Sequence, residues 1–368
     1  MKVAVGISGG VDSAVAALLL KEQGHDLVGV TMALGRADEE KSVAEAQSVA
    51  DHLGIPLKVF DFSSAWHAQV FEYIRRTYLD GATPNPCVRC NETVKFGLLP
   101  QAAFEMGCER FATGHYARVE IKHRGTEARS LPTDRSSLCL CASVFENEVR
   151  LLRAVDKTKD QSYFLYRVKP EILARTIFPL GELTKGEVRE IARRAGFAAA
   201  EREDSQDFCG GDPMEIVDTP DRPGDVVTVD GKVIGTHRGY WNYTVGMRKG
   251  LGIGGGTPYY VVALDAANNR VIVGFREDAV CHAFSLTDLL VNDPAGPDAP
   301  PLRVKVRSAG EPRGPVTLAE STVRCPDGLT GVAPGQSAVF YRGDEIVGGG
   351  IIAKESFSVL DGCGRNLI

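Results

Sequence analysis

Val3-Ala4-Val5-Gly6-Ile7, followed directly by Ser8-Gly9-Gly10-Val11-Asp12-Ser13, decides how the rest of the chain is read. The first five residues are a short apolar run with the branching of a buried strand. Ser13 to Lys21 is a run of good helix formers that ends near Gly24. A Gly-rich turn between strand and helix aims backbone N–H groups and the positive end of the helix dipole at one spot. Such a spot suits an anion, most often a phosphate. Gly9 and Gly10 let the backbone come close, Ser8 and Ser13 add hydroxyl donors, and Asp12 can hold Mg2+ beside the phosphates.

No Gly-Lys-Ser/Thr follows, so this is not a Walker A loop, and the G-x-G-x-x-G spacing of a dinucleotide fingerprint is absent. The stretch resembles the SGGxDS signature of the PP-loop ATP pyrophosphatases, which cleave ATP between the α- and β-phosphates. That resemblance implies ATP contacts at Gly6, Ile7, Ser8, Gly9, Gly10, Val11, Asp12 and Ser13, with Met32 and Gly114 at later strand ends.

Downstream, Leu27 to Met32 reads as a second strand, Lys41 to Leu53 as a helix and Leu57 to Asp61 as a third strand. Ala65 to Tyr78 reads as another helix and Arg110 to Thr113 as another short strand. Strands alternating with helices predict an α/β fold with a parallel sheet covered on both faces. Ligands of such sheets lie beyond the carboxyl ends of the strands, where Met32 and Gly114-His115 fall. Met32 suits an adenine there and equally suits the core.

Gly81-Ala82-Thr83-Pro84-Asn85-Pro86-Cys87-Val88-Arg89-Cys90-Asn91 reads as a shape-restrained loop, because two prolines and a glycine interrupt regular structure. It ends in Cys-x-x-Cys beside Arg89, with Lys95 nearby, and positive charge makes a thiolate more available. The pair suits redox chemistry, half of a zinc site or part of an iron–sulfur site. A further cysteine stands in the polar, Gly-rich stretch Asp204-Ser205-Gln206-Asp207-Phe208-Cys209-Gly210-Gly211.

The 368 residues suffice for two or three domains, and 43% hydrophobic with 24% charged residues is the balance of a globular protein in water. No apolar run reaches membrane-spanning length, and no signal or transit peptide is read at Met1-Lys2-Val3, so a cytoplasmic location is expected. Nine cysteines, an odd number, argue against a disulfide framework. The net charge of −6 points to no nucleic-acid partner, but Arg150 to Arg194 carries eleven Lys/Arg against six Asp/Glu. That local excess is a candidate for binding a nucleic-acid backbone, or else a solvated helical face.

Lys122 to Glu148 has little pattern and reads as an insertion, and Cys139 and Cys141 within it alternate with Leu138, Leu140 and Ala142 as on a strand face. After Cys209 the character changes. Asp225 to Gly235 is a hairpin around Asp230-Gly231, and Tyr259 to Leu264 with Arg270 to Gly274 forms a second around Asn268-Asn269. Short alternating strands follow, including Leu302 to Arg307, Val316 to Leu318 and Ser337 to Tyr341, which predicts a small closed or sandwiched β-domain. Arg303, Lys305 and Arg307 share one face of their strand by period two. The divisions expected are 1–205, with its basic segment at about 150–200, then a small central domain at 206–272 and a C-terminal β-barrel at 273–368.

The loop at Ser8, Asn85 to Asn91, Ala112-Thr113-Gly114-His115-Tyr116, Lys159-Asp160-Gln161-Ser162-Tyr163-Phe164-Leu165, the Cys209 stretch, Arg248 to Ile253 and Pro334-Gly335-Gln336-Ser337 occur in one order. That order resembles, nearly end to end, the bacterial tRNA-specific 2-thiouridylases, which place sulfur on the wobble uridine of certain tRNAs. The resemblance implies ATP and Mg2+ as cofactors, tRNA as partner, and a cysteine desulfurase or sulfur-relay protein as sulfur donor. It implies tRNA contacts at Asn85, Pro86, Cys87, His115, Lys159, Asp160, Gln161, Arg307, Ser308 and Gln336, with catalysis at Cys90, Cys209 and Cys87. Two routes for sulfur are open: a persulfide on Cys209 resolved by Cys90, or an iron–sulfur cluster on Cys87, Cys90 and Cys209.

Three departures bear on this, one being a short segment after Met32 with the insertion at Lys122 to Glu148. Many relatives carry Asp, the proposed general base, where Cys87 stands, which leaves the proton acceptor unassigned. The family's Gly-Gln-Arg-Lys-Gly reads Gly246-Met247-Arg248-Lys249-Gly250. The competing readings are another PP-loop adenylating ligase, which accounts for the first strand and helix but not for the cysteines, and a zinc-stabilised RNA-binding protein without catalysis.

Overall fold

A computed structural model describes residues 1–123, 147–197, 216–253, 258–291, 293 and 299–354. Cys139, Cys141 and Cys209 lie outside these residues.

Strand β1 (Lys2–Gly6) carries Val3, Ala4 and Val5 fully buried, because it is the central strand of a parallel sheet. Strand β2 (Asp26–Ala33) pairs with one side of β1 and β4 (Arg110–Ala112) with the other. Strands β3 (Leu57–Asp61) and β7 (Thr176–Ile177) complete the order β3-β2-β1-β4-β7, with every pairing parallel. Helices α1 (Val11–Glu22), α2 (Glu39–Leu53) and α8 (Lys185–Arg194) cover one face, burying Ala14, Val15, Leu20, Val49, Leu53 and Val188.

The helix expected over Ala65 to Tyr78 forms as α3 (Ser63–Trp66) and α4 (Glu72–Leu79), joined by a π-helical segment His67–Phe71. The stretch read as a loop around the Cys pair is helical from Pro86 onward. Helix α5 (Pro86–Cys90) runs through the π-helical Asn91–Leu98 into α6 (Leu99–Glu105). The proline that argued for a loop occupies the first turn, where its missing N–H has no helical partner to lose, and the Asn85 side chain caps the Val88 amide.

The flanks of the insertion are patterned after all. Strands β5 (Ala117–His123) and β6 (Asn147–Arg153) pair antiparallel from Ala117↔Arg153 to His123↔Asn147. A short helix α7 (Pro170–Leu173) precedes β7.

Both central hairpins are present. Strands β8 (Gly224–Thr228), β9 (Val233–His237), β10 (Tyr260–Asp265) and β11 (Arg270–Gly274) form a sheet in the order β10-β11-β8-β9 around Trp241 and Tyr240. The described residues of the C-terminal region form β12 (Val280–Val291), β13 (Arg303–Lys305), β14 (Thr317–Ala319), β15 (Thr322–Thr330), β16 (Ser337–Arg342) and β17 (Glu345–Ile352), in the order β13-β16-β17-β12-β15-β14. The β5–β6 hairpin joins this sheet through Glu345↔Leu152 and Ile346↔Leu151, so the first and last regions share one hydrogen-bonded ladder.

Arg303 and Lys305 do not share a solvated face. Arg303 is exposed, whereas Lys305 is buried with its ammonium 5.7 Å from the Tyr163 ring centroid. Docking of the β-domain on the Tyr163 segment covers it. Among the described residues no helix is long and apolar enough to cross a membrane.

Candidate active site

At the carboxyl end of β1 the chain turns through Ser8, Gly9 and Gly10 into α1. Gly9 has φ +79°, and a Cβ on it would lie 2.5 Å from the Glu45 Cβ, so the turn takes no larger residue without displacing α2. The Ser8 amide donates to Ser13 Oγ at 3.2 Å, and Ser13 Oγ donates to the Gly10 carbonyl at 3.0 Å. The two serine hydroxyls are 3.3 Å apart. Gly114, after β4, packs so tightly on this turn that a Cβ would sit 2.7 Å from Asp12 C and Ser13 N. Ile7 and Val11 on either side of the turn are buried in the core. Met32 is half-buried and packs on the cluster that contains Phe96 and Phe111.

Two side chains reach Asp12 that the sequence reading did not single out. Tyr116 Oη donates to Asp12 Oδ1 at 2.9 Å. Lys185 Nζ donates to Oδ1 at 2.7 Å and to Oδ2 at 3.0 Å, with its stem nearly buried beside the Tyr116 ring. Lys185 opens α8 directly after Thr184, whose side chain forms a reciprocal capping box with Glu187. Thr-x-x-Glu is legible as a helix start, but nothing in it shows that the lysine turns inward to α1. Asp12 fits Mg2+: it is one carboxylate beside a helix N-terminus, the donor set that Mg2+ completes with water and phosphate oxygens. The position next to that carboxylate already holds a cation, the Lys185 ammonium.

Cys87 and Cys90 stand three residues apart in the first turn of α5, hence on one side of the helix. Cys90 is buried and Cys87 half-buried. A thiolate here gains from the N-terminal end of a helical run that extends to Glu105. Arg89, offered as the local positive charge, turns to Glu92 at 3.1 Å and to the Gln69 carbonyl at 3.2 Å. The backbone amide of Asn85 donates to the Tyr73 hydroxyl at 3.1 Å, and its side-chain amide donates to Tyr163 Oη at 3.3 Å. Among the described residues no group of three or more His, Cys, Asp or Glu is placed to hold a metal.

Residues 1–210 match the family described as the tRNA methyl transferase HUP domain, 217–275 its PRC-barrel domain, and 290–352 an aminomethyltransferase beta-barrel domain. The tRNA-specific 2-thiouridylase MnmA of Trichormus variabilis is 40% identical over 372 residues, covering 97% of this chain and 99% of its own. That of Endomicrobium trichonymphae is 40% identical over 380 residues, covering 96% and 99%. That of a Roseiflexus species is 40% identical over 388 residues, covering 96% and 100%. The chain belongs to the tRNA-specific 2-thiouridylase family.

The α/β domain followed by a central domain and a C-terminal β-barrel is thus the fold of a 2-thiouridylase, and ATP is the cofactor of its PP-loop. The residues expected to meet tRNA in a 2-thiouridylase are spread over several structural roles. His115 is packed between Phe96 and Phe178, with Nδ1 2.9 Å from Thr113 Oγ1. Burial, reinforced by the Lys95 charge, holds its pKa well below the ordinary histidine value, so the ring is neutral. Asp160 is buried and accepts from the Ala154 and Ser162 amides and from Arg153. Gln161 brackets Tyr116, accepting its amide at 3.0 Å and donating its own amide to the Tyr116 carbonyl at 2.8 Å.

Gln336 Nε2 donates to the Thr83 and Pro84 carbonyls, ahead of Asn85 and Pro86. Arg307 ties the β-domain to the central domain through the Gly331 and Val245 carbonyls, and Ser308 is exposed. The basic stretch is less available than its composition suggests. Arg150 pairs with Glu345, Arg153 with Glu311, Lys157 with Asp344, Arg167 with Glu92 and Lys185 with Asp12.

Proposed function

We propose that this chain catalyses the ATP-dependent 2-thiolation of the wobble uridine of tRNA, in the cytoplasm, with sulfur delivered by a cysteine desulfurase or a sulfur-relay protein. The observation that carries the reading is 40% identity to 2-thiouridylases over 97% of the chain, with the Ser8 to Ser13 loop and the Cys87–Cys90 turn inside residues 1–210, which match the HUP domain of the family.

A uracil carbonyl oxygen is a poor leaving group. Its attack on the α-phosphate of ATP expels pyrophosphate and leaves an adenylated base, from which sulfur displaces AMP. The amides after Gly9, the hydroxyls of Ser8 and Ser13 and the cation held at Asp12 hold the phosphates and offset their charge. Asp12 would hold Mg2+, which would supply electrostatic stabilisation of charge on the phosphates. The flipped base reaches the Cys90 turn past Asn85 and His115, with tRNA seated on Lys159, Gln161 and Ser308.

In the persulfide route, the terminal sulfur of a Cys209 persulfide attacks C2 of the adenylated base and AMP leaves. The Cys90 thiolate then attacks the Cys209 sulfur, freeing the thiolated base and closing a Cys90–Cys209 disulfide that a thiol reductant reopens. The i,i+3 placement of Cys87 and Cys90 supports the second route, in which both ligate an iron–sulfur cluster with Cys209.

Pyrophosphate release from ATP by wild type and Asp12→Ala, with and without a wobble-uridine tRNA, tests the function. Release that needs tRNA and is lost in the variant is expected, whereas tRNA binding with no release by wild type sinks it. Iron and acid-labile sulfide in protein purified without oxygen, wild type beside Cys87→Ala, separate the routes. Iron-free wild type that still thiolates leaves only the persulfide.

A further inference from the structure

Among the described residues, the two side chains that reach Asp12, Tyr116 and Lys185, are both held by one short segment, Asp156 to Gln161. Gln161 brackets the backbone of Tyr116, and Tyr116 Oη donates to Asp12. Asp156 Oδ2 accepts the backbone amide of Lys185 at 3.0 Å, and Lys185 Nζ grips both oxygens of Asp12. The segment itself is closely tied. Asp156 Oδ1 accepts the Thr158 amide at 3.0 Å and its hydroxyl at 2.6 Å, and the Lys159 amide donates to the Asp156 carbonyl at 3.2 Å. Asp160 Oδ1 holds the Ala154 and Ser162 amides at 3.1 and 3.2 Å. A segment braced in this way moves as a unit, and its two ends lead to the same carboxylate by two routes.

We propose that Tyr116 and Lys185 are positioning residues for Asp12, and that the Asp156 to Gln161 strap sets both, so that tRNA seated on the strap fixes the carboxylate for the nucleotide and its metal. This rests on the reading that tRNA sits at Lys159 and Gln161. Displacement of the Lys185 ammonium from Asp12 frees an oxygen for the metal and leaves a cation beside the phosphates. Tyr116 keeps the other contact and holds the carboxylate's direction. Nucleotide and tRNA then strengthen each other's binding by one shared factor, since coupling between two sites is reciprocal.

The test is the affinity for α,β-methylene-ATP with Mg2+, which binds without being cleaved, measured by calorimetry with and without a wobble-uridine tRNA. In wild type tRNA is expected to tighten the nucleotide about fivefold or more. Tyr116→Phe removes one hydroxyl and keeps the buried ring. It is expected to bind tRNA alone as wild type does and to bring the coupling factor close to one. Lys185→Met, which keeps the stem and removes the charge, is expected to do the same, with thermal melts confirming folding. A merely structural role would weaken both ligands and leave their ratio untouched. Retention of the wild-type factor in both variants, or a wild type that binds both ligands without coupling, overturns the proposal. A wild type that binds no tRNA overturns the functional reading instead, and this inference with it.

Discussion

Gln336 of the C-terminal domain donates its side-chain amide to the Thr83 carbonyl at 3.3 Å and to the Pro84 carbonyl at 2.5 Å, directly before the helix that carries Cys87 and Cys90. The Thr83 amide returns a bond to the Pro334 carbonyl at 2.8 Å, and a Cβ on Gly335 would come within 2.8 Å of the Thr83 carbonyl. The β-domain thus clamps the lead-in to the cysteine turn. Gln336→Ala should lower stability by about 1 kcal/mol per lost bond and speed alkylation of Cys87 and Cys90 by iodoacetamide, followed by mass spectrometry. Alkylation at the wild-type rate would show that the turn holds itself.

Gly114 is required by close approach and not by its dihedral angles. A methyl group there would lie 2.7 Å from backbone atoms of Asp12 and Ser13, which cannot move aside as a flexible side chain would. Gly114→Ala should therefore displace the first turn of α1, destabilising the fold by about 1–3 kcal/mol and weakening Mg·ATP. Urea unfolding and nucleotide titration together check this, and unchanged nucleotide affinity would contradict it.

Much of this site was legible in the residues. Val3 to Ser13 declared strand, turn and helix, and the alternation that follows declared the parallel sheet. Cys87 and Cys90 were legible as a pair but not as a helix turn, because Pro86 reads equally as a loop former and as the first residue of a helix. Tyr116 and Lys185 were hidden for another reason: their contacts with Asp12 span 104 and 173 residues. The same holds for the basic stretch, whose Arg153 and Lys157 are answered by Glu311 and Asp344 far along the chain. Local charge counts report composition, whereas availability depends on partners that only the fold assembles.

His115 makes a signed prediction for pH. Burial and the Lys95 charge hold its folded pKa well below the ordinary value of 6.5, while the unfolded chain titrates near that value. Between the two the unfolded state binds more protons, so stability is full above the unfolded pKa and is lost as pH falls below it. The limit for one such histidine is about 1.4 kcal/mol per pH unit. His237, also lowered by burial, adds in the same direction. His115→Asn, which keeps an acceptor near Thr113, should flatten the acid side of a plot of unfolding free energy against pH. An unaltered slope would mean that His115 is protonated in the folded protein.

Arg307 separates two roles by salt. Its Nη2 donates to the Val245 carbonyl at 2.9 Å and its Nε to the Gly331 carbonyl at 3.1 Å, spanning the central and C-terminal domains. Gly331, at φ +72°, leaves room for the guanidinium, which lies 2.4 Å from where a Cβ would be. Arg307→Ala and Gly331→Ala should both loosen this junction, by about 1–3 kcal/mol for the loss of charge-assisted bonds. Arg307→Lys should restore only part, since one ammonium does not reproduce the two-pronged donor. If Arg307 acts as a tie, Arg307→Ala speeds proteolysis between the domains and leaves the slope of log tRNA affinity against log salt unchanged. A phosphate contact predicts the reverse: intact stability, with the slope reduced by about one unit. Because both bonds of the guanidinium are made to protein carbonyls, the first outcome is expected.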